Sequence, residues 1–201
     1  MILQPTVASV VGQISETRWG QVLQSPNAYA VVEVYAKDGG ARQIGINMFS
    51  KLANALDTLP TSLLQTSAIV TDVVSDDIVS LILMVNVGAV LYVASYGGGK
   101  VFLKRNQLLA KLVDGTQAIS GSLMQGDTII AASRGFVSML GEKELASVFD
   151  NFTPQEVAEK LTLLLHKHGE ASEGGAACIY HVTCVDDLPS GDTLVAEAAD
   201  T

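Results

Sequence analysis

The sequence predicts an α+β domain in which antiparallel sheets are backed by helices. Three observations carry that expectation. Strand-like segments come in blocks instead of alternating singly with helices, which argues against a doubly wound parallel sheet. The longest block is broken only by short turns, at Val87-Gly88, Gly97-Gly98-Gly99 and Arg105-Asn106, the punctuation of antiparallel neighbours. The helical segments repeat apolar residues every four positions, so each presents one stripe to a sheet. The chain has 201 residues, 48% of them hydrophobic, enough for one compact core. Aromatics are only 5%, so that core is mainly aliphatic.

Residues 6–13 read as a short strand following Pro5. Residues 27–36, NAYAVVEVYA, read as a second, rich in β-branched residues. Lys37-Asp38-Gly39-Gly40 is a turn. Residues 41–57 carry Ile44, Met48, Leu52 and Leu56 on one helical stripe, with Gly45 marking close packing. Leu59-Pro60-Thr61 breaks that helix. Residues 62–74 form the next, with Leu63, Ser67, Val70 and Val74 on one face. Residues 78–87, 89–96, 100–105 and 107–113 read as a hairpin meander. Asp76 and Asp77 form the turn before it. Residues 127–133 are a buried strand that ends in a Ser-X-Gly corner entering a helix. Residues 142–149 are a short helix. Thr153-Pro154-Gln155-Glu156 is a capping box with proline in the first turn. The helix it opens carries Val157, Leu161, Leu164 and Leu165, and closes on Lys167, His168 and Gly169 as dipole and cap rules favour. Residues 176–184 are the last strand. We divide the chain into a domain at 1–184 and an acidic tail or linker at 185–201, which hints at a longer parent chain.

The net charge of −9 argues against a nucleic-acid surface, which needs clustered Lys and Arg, and against docking on anionic lipid. Cys178 and Cys184 lie on one strand face roughly 20 Å apart, too far to bridge, which suits a reducing compartment. No basic leader precedes an apolar run, and no apolar run is long enough to span a bilayer. The expected location is the cytoplasm, without membrane insertion. His166 and His168 diverge on their helix, so with His181 they make no metal site. Cys178, Tyr180 and Cys184 are packing residues, and Met48, Met84, Met124 and Met139 are core filler. No base is assignable for Ser133 as a nucleophile.

Three segments together resemble the metal-dependent serine/threonine phosphatases of the PPM type, also called type 2C. Residues 91–103, LYVASYGGGKVFL, follow that family's LYVANVGDSRAYL pattern in register. Residues 126–136, GDTIIAASRGF, follow its PGDxLLLxSDGL pattern. Residues 158–182 follow its long helix, its turn, and the strand opened by an aspartate-asparagine pair. Residues 27–34 lie more loosely on its first metal-bearing strand, which ends AVxDG. The likeness spans about residues 27 to 182.

The resemblance implies a four-layer αββα sandwich, two antiparallel sheets face to face with helices outside each. It also implies hydrolysis of phosphoserine and phosphothreonine by a hydroxide bridging two Mn or Mg ions, with an arginine near the N-terminus gripping the phosphate. Departures fall at the positions that matter. The first bridging aspartate becomes Glu33 and the glycine after it Val34. The aspartate of Ser-Asp-Gly becomes Arg134, a cation where a cation should bind. The aspartate-asparagine pair becomes Gly174 and Gly175. The hairpin Gly-Asp-Ser-Arg becomes Gly97-Gly98-Gly99-Lys100. Arg18 stands about where the phosphate-gripping arginine is expected, without the acid that follows it in the family.

These substitutions imply a degenerate member with no catalytic residues, no metal and no cofactor. Its role would be binding or regulation toward a protein partner or another domain of a longer chain. Two alternatives stand beside it: a divergent active phosphatase holding Mn or Mg at Glu33, and a structural or oligomerisation module. Glu33 and Arg134 are expected in one pocket, either as an ion pair replacing the metal or as two separate solvated charges. Gly97, Gly98, Gly99, Lys100 and Arg18 are candidate anion contacts, the glycine run being otherwise a simple hairpin turn.

Overall fold

A computed structural model describes residues 2–106, 108–148 and 153–185. The elements in chain order are β1 (Ile2–Val11), β2 (Arg18–Ser25), β3 (Ala28–Tyr35), α1 (Ala41–Ala55), α2 (Leu63–Val73), β4 (Ile78–Val87), β5 (Val90–Gly97), β6 (Lys100–Arg105), β7 (Leu108–Asp114), β8 (Ala118–Ser122), β9 (Thr128–Ala132), α3 (Arg134–Leu140), α4 (Glu142–Ser147), α5 (Pro154–His168), a 3-10 turn (Gly169–Ser172) and β10 (Ala176–Val185). One sheet runs β1-β10-β9-β6-β7 and the other β2-β3-β4-β5-β8. Every paired neighbour is antiparallel.

Each central strand buries both faces, which explains its nearly unbroken apolar run. On β3, Val31 faces the other sheet, while Val32 and Val34 pack under α1 and α2 with Met48, Leu52 and Val70. Between the sheets, Ile82, Met84 and Val93 meet Val101, Ile129, Cys178 and Tyr180. The rings of Tyr29 and Tyr180 meet edge to face there, 5.4 Å apart. Behind the first sheet, Phe136, Leu140, Val157, Leu161 and Leu165 cover Phe102, Ile130, Ala177 and Ile179. Helix, sheet, sheet, helix is therefore the layer order, the αββα sandwich expected.

The meander is corrected. β4 and β5 pair as a hairpin, and so do β6 and β7, but β5 and β6 belong to different sheets. Gly97-Gly98-Gly99 is the crossing between them. Gly97 has φ of 77°, and a Cβ there would lie 2.0 Å from the Val79 carbonyl oxygen, so only glycine fits. Strands β2 and β8 are additional to the sequence expectation. β1 also starts before Pro5; it is an edge strand, where a missing N–H is tolerated. Met124 is 52% exposed, so it is not core filler. The Cys184 thiol and residues 186–201 lie outside the described residues. Among the described residues no helix is long and apolar enough to cross a membrane.

Candidate functional site

One end of the sandwich gathers the charged positions. The pairing of β3 with β4 shifts register between Glu33 and Val34, a bulge that re-aims a strand-end side chain. Glu33 enters the end of the sandwich and is 1% exposed. From the other sheet, β9 runs through Ser133 into α3. The Ser133 N–H donates to the Ala176 carbonyl at 2.8 Å, and the Ser133 Oγ accepts the Ala176 N–H at 3.0 Å. That corner is therefore tied to the start of β10. It presents the Gly135 N–H, which donates to Glu33 Oε2 at 2.7 Å. A Cβ on residue 135 would stand 2.7 Å from Glu33 Oε1, so glycine lets the carboxylate approach the backbone.

Two guanidiniums flank this carboxylate. Arg18, at the start of β2, brings Nη1 to 3.8 Å from Glu33 Oε1 and lies 4.9 Å over the Tyr35 ring. Arg134 donates its backbone N–H to Ser80 Oγ at 3.4 Å and lays its aliphatic stem along Gly98. Arg18, Glu33, Tyr35, Arg134, Ser138 and Glu173 all line a cavity of about 610 Å³. Burial pushes the Glu33 carboxyl above its ordinary range. The Gly135 N–H, the Ser133 hydroxyl, Arg18 and Arg134 act in the opposite direction but do not overcome it.

Glu33 and Arg134, expected in one pocket, line the same cavity, and Arg18 joins them there. The ion pair differs: the Glu33 partner within 4 Å is Arg18, not Arg134. Val34 is wholly buried on the helix side of β3 and takes no part. Gly174 and Gly175 serve as a backbone joint. The Gly174 N–H donates to the Gln13 carbonyl at 2.8 Å, and the Gly175 carbonyl accepts from Gly12 at 2.7 Å. The acid that this turn sends into the cavity is Glu173, which the family pattern passes over by one position. An acid beside a Gly-Gly turn was the available signal. The glycine crossing spends its donors locally, Gly97 on Thr116 Oγ1 at 3.0 Å and Gly98 on the Val79 carbonyl at 3.3 Å. Lys100 joins Asp114 at 3.3 Å and also Glu142. Gly97, Gly98 and Lys100 thus have partners within the chain. His181 pairs through Nδ1 with Thr128 Oγ1 at 2.9 Å, away from the cavity.

No family model and no curated protein matches the sequence. Solved structures do match. The catalytic domain of the serine/threonine protein phosphatase PstP, in complex with two manganese ions, superposes with TM-score 0.70 at 14% identity, over 91% of this chain and 99% of that one. The PPM Ser-Thr phosphatase MsPP of Mycobacterium smegmatis gives 0.66 at 12% identity, over 90% and 98%. The phosphatase domain of the cell fate determinant SpoIIE of Bacillus subtilis gives 0.59 at 13% identity, over 98% and 97%.

Manganese in the first of these poses a test of fit. A hard divalent ion needs several oxygen ligands, and a catalytic pair needs bridging carboxylates about 3.5–4 Å from metal to metal. Here Glu33 has one oxygen on an N–H and the other toward Arg18, and Arg134 faces the same space. Among the described residues no three His, Cys, Asp or Glu side chains cluster closely enough to hold a metal ion. The residues of this cavity do not fit a two-metal centre. What the chain shares with these enzymes is their architecture: it has the fold of the PPM-type serine/threonine phosphatases.

Proposed function

We propose that this domain binds a partner through its cleft and does not hydrolyse phosphate esters. The partner is a protein segment or another domain of a longer chain, in the cytoplasm. One observation carries the reading. Glu33, which the resemblance lays on the first metal-bridging aspartate, is buried and held by the Gly135 N–H, with Arg134 facing the same cavity. A guanidinium repels a divalent cation where an aspartate would bind it, so no group is left to lower the pKa of water as a metal does. Fold and chemistry are separable, and the cores on both sides of the sandwich do not depend on the site.

A divergent phosphatase is the second reading, favoured by Glu173 lining the cavity with Glu33. Two acids flanking one metal could retain weak chemistry. Hydrolysis of p-nitrophenyl phosphate with millimolar Mn or Mg separates the two. We expect no turnover above buffer. Turnover that disappears in Glu33→Gln would establish the second reading instead.

A further inference from the structure

A sheet edge with free backbone groups attracts other chains, and proteins blunt such edges with charges or proline. The edge strands are β1 and β7 in one sheet and β2 and β8 in the other. β1 carries Pro5, β2 opens on Arg18, and β7 carries Lys111 and Asp114, but β8 reads AISGS, with neither charge nor proline. The Ser95 N–H donates to the Gln117 carbonyl and the Leu123 N–H to the Ala89 carbonyl, both at 2.8 Å. By alternation, Ile119 and Gly121 turn their backbone groups to β5, while Ala118, Ser120 and Ser122 turn theirs outward. Among the described residues β8 pairs with β5 alone, and the outward Ser122 carbonyl accepts from Arg105 Nη2 at 2.8 Å. Both faces of this edge are hollow. Between the sheets lies a cavity of about 170 Å³ walled by Leu91, Val93, Leu103, Leu112, Ile119 and Ile129; a dry apolar cavity of about 150 Å³ is enough for a benzene ring. A Cβ on Gly121 would meet nothing within 4 Å. On the α2 side a second cavity, of about 300 Å³, is lined by Val70, Val74, Tyr96 and Ala118. An unpaired edge with a pocket on each face suits strand addition, in which main-chain bonds hold the added chain and alternate side chains fill opposite pockets.

We propose that residues 193–197 of this chain, TLVAE, add to β8 as a sixth strand of its sheet, with Leu194 in the cavity between the sheets. β10 brings the chain to that edge. The Val182 carbonyl accepts the Gly126 N–H and the Val182 N–H donates to the Asp127 carbonyl, each at 2.9 Å. The Asp127 carboxylate in turn shares Arg105 with the Ser122 carbonyl. The chain therefore leaves Val185 on the side where β8 ends, and a segment returning from Ser122 toward Ala118 runs antiparallel to β8. Residues 186–192 supply the connection, since seven residues span up to roughly 23 Å. Thr193-Leu194-Val195-Ala196 is the only run after Val185 that joins β-branched and aliphatic residues without a charge, proline or glycine, the composition a strand favours. Set opposite Gly121, Leu194 enters the inner cavity where the glycine leaves space. Val195, opposite Ser120, then turns to the α2 side, and Glu197 falls at the end of the pairing. The added strand covers the outward amides of Ala118, Ser120 and Ser122.

The experiment is amide hydrogen exchange of the full chain, read residue by residue by NMR at two protein concentrations. The Ala118 and Ser120 amides should exchange at least tenfold more slowly in the wild type than in Leu194→Asp. Gly121→Val places a side chain where neither backbone nor space forbids one, and there it competes with Leu194. It should speed exchange at Ser120 several-fold. The Ile119 amide, turned to β5 in every case, reports that both variants remain folded. Ala199→Asp, beyond the added strand, should leave all these rates unchanged. Equal exchange at Ser120 in the wild type and Leu194→Asp overturns the proposal and leaves the edge to a separate partner. Protection that rises with protein concentration and survives Leu194→Asp also overturns it, and identifies a second copy of the chain as the cover.

Discussion

Glu33 sets the electrostatic character of the cleft. Its carboxyl is raised above the ordinary value of 4.5 because burial penalises the charged form. The folded chain therefore holds that proton more tightly than the unfolded chain. Between the ordinary and the raised value, the native state binds more protons, so stability falls as pH rises through that window. The direction is opposite to that of an acid stabilised by a salt bridge, and Arg18 at 3.8 Å does not reverse it. Glu33→Gln should flatten this part of the stability profile, since the amide oxygen still accepts the Gly135 N–H. Arg18 loses little, because it is 41% exposed. Relative to the wild type, Glu33→Gln should be more stable above the window than below it. Chemical denaturation from pH 4 to pH 8 checks this. A Glu33→Gln profile as steep as the wild type would contradict it.

Elements were legible where local chemistry and burial agree. The box at Thr153 is complete: Thr153 Oγ1 accepts the Glu156 N–H at 3.3 Å, and Glu156 Oε2 accepts the Thr153 N–H at 2.7 Å. The helix begins where those two residue types place it. β4 and β6 have the expected bounds because their apolar runs are cut by turns. β8, AISGS, is a mostly exposed edge strand, so neither alternation nor apolar weight marks it. β2 contains Gly20, where a Cβ would lie 1.9 Å from the Gly174 carbonyl oxygen; the glycine that obscures the strand in sequence is required by tertiary packing. The change of sheet at Gly97 was invisible for a similar reason, since a glycine turn reads alike within one sheet or between two. Gly97→Ala should cost several kcal/mol, combining positive φ with a clash against Val79 backbone. A loss below about 1 kcal/mol in urea unfolding would mean that the crossing is looser than described.

At the scale of the whole molecule, the sandwich and the site obey different constraints. Three apolar layers, one between the sheets and one behind each, hold the architecture without help from the cleft. Substitution at the cleft therefore need not cost the fold. The order of strand blocks and helices pointed to antiparallel sheets backed by helices, and the resemblance to the phosphatases marked the two stacked sheets and Glu33, Arg18 and Arg134. Which cation pairs with Glu33, and that Glu173 reaches the cavity, depend on how the two sheets meet at their ends. That meeting is long-range and leaves no spacing in the chain. The claim on which the account turns is that a guanidinium and a buried, N–H-bound carboxylate stand where two metals would need oxygen ligands. Titration of Mn into the full chain by calorimetry tests it most directly. The account predicts no binding tighter than millimolar, in the wild type and in Glu33→Gln alike. Micromolar binding of two ions, lost in Glu33→Gln, would contradict it.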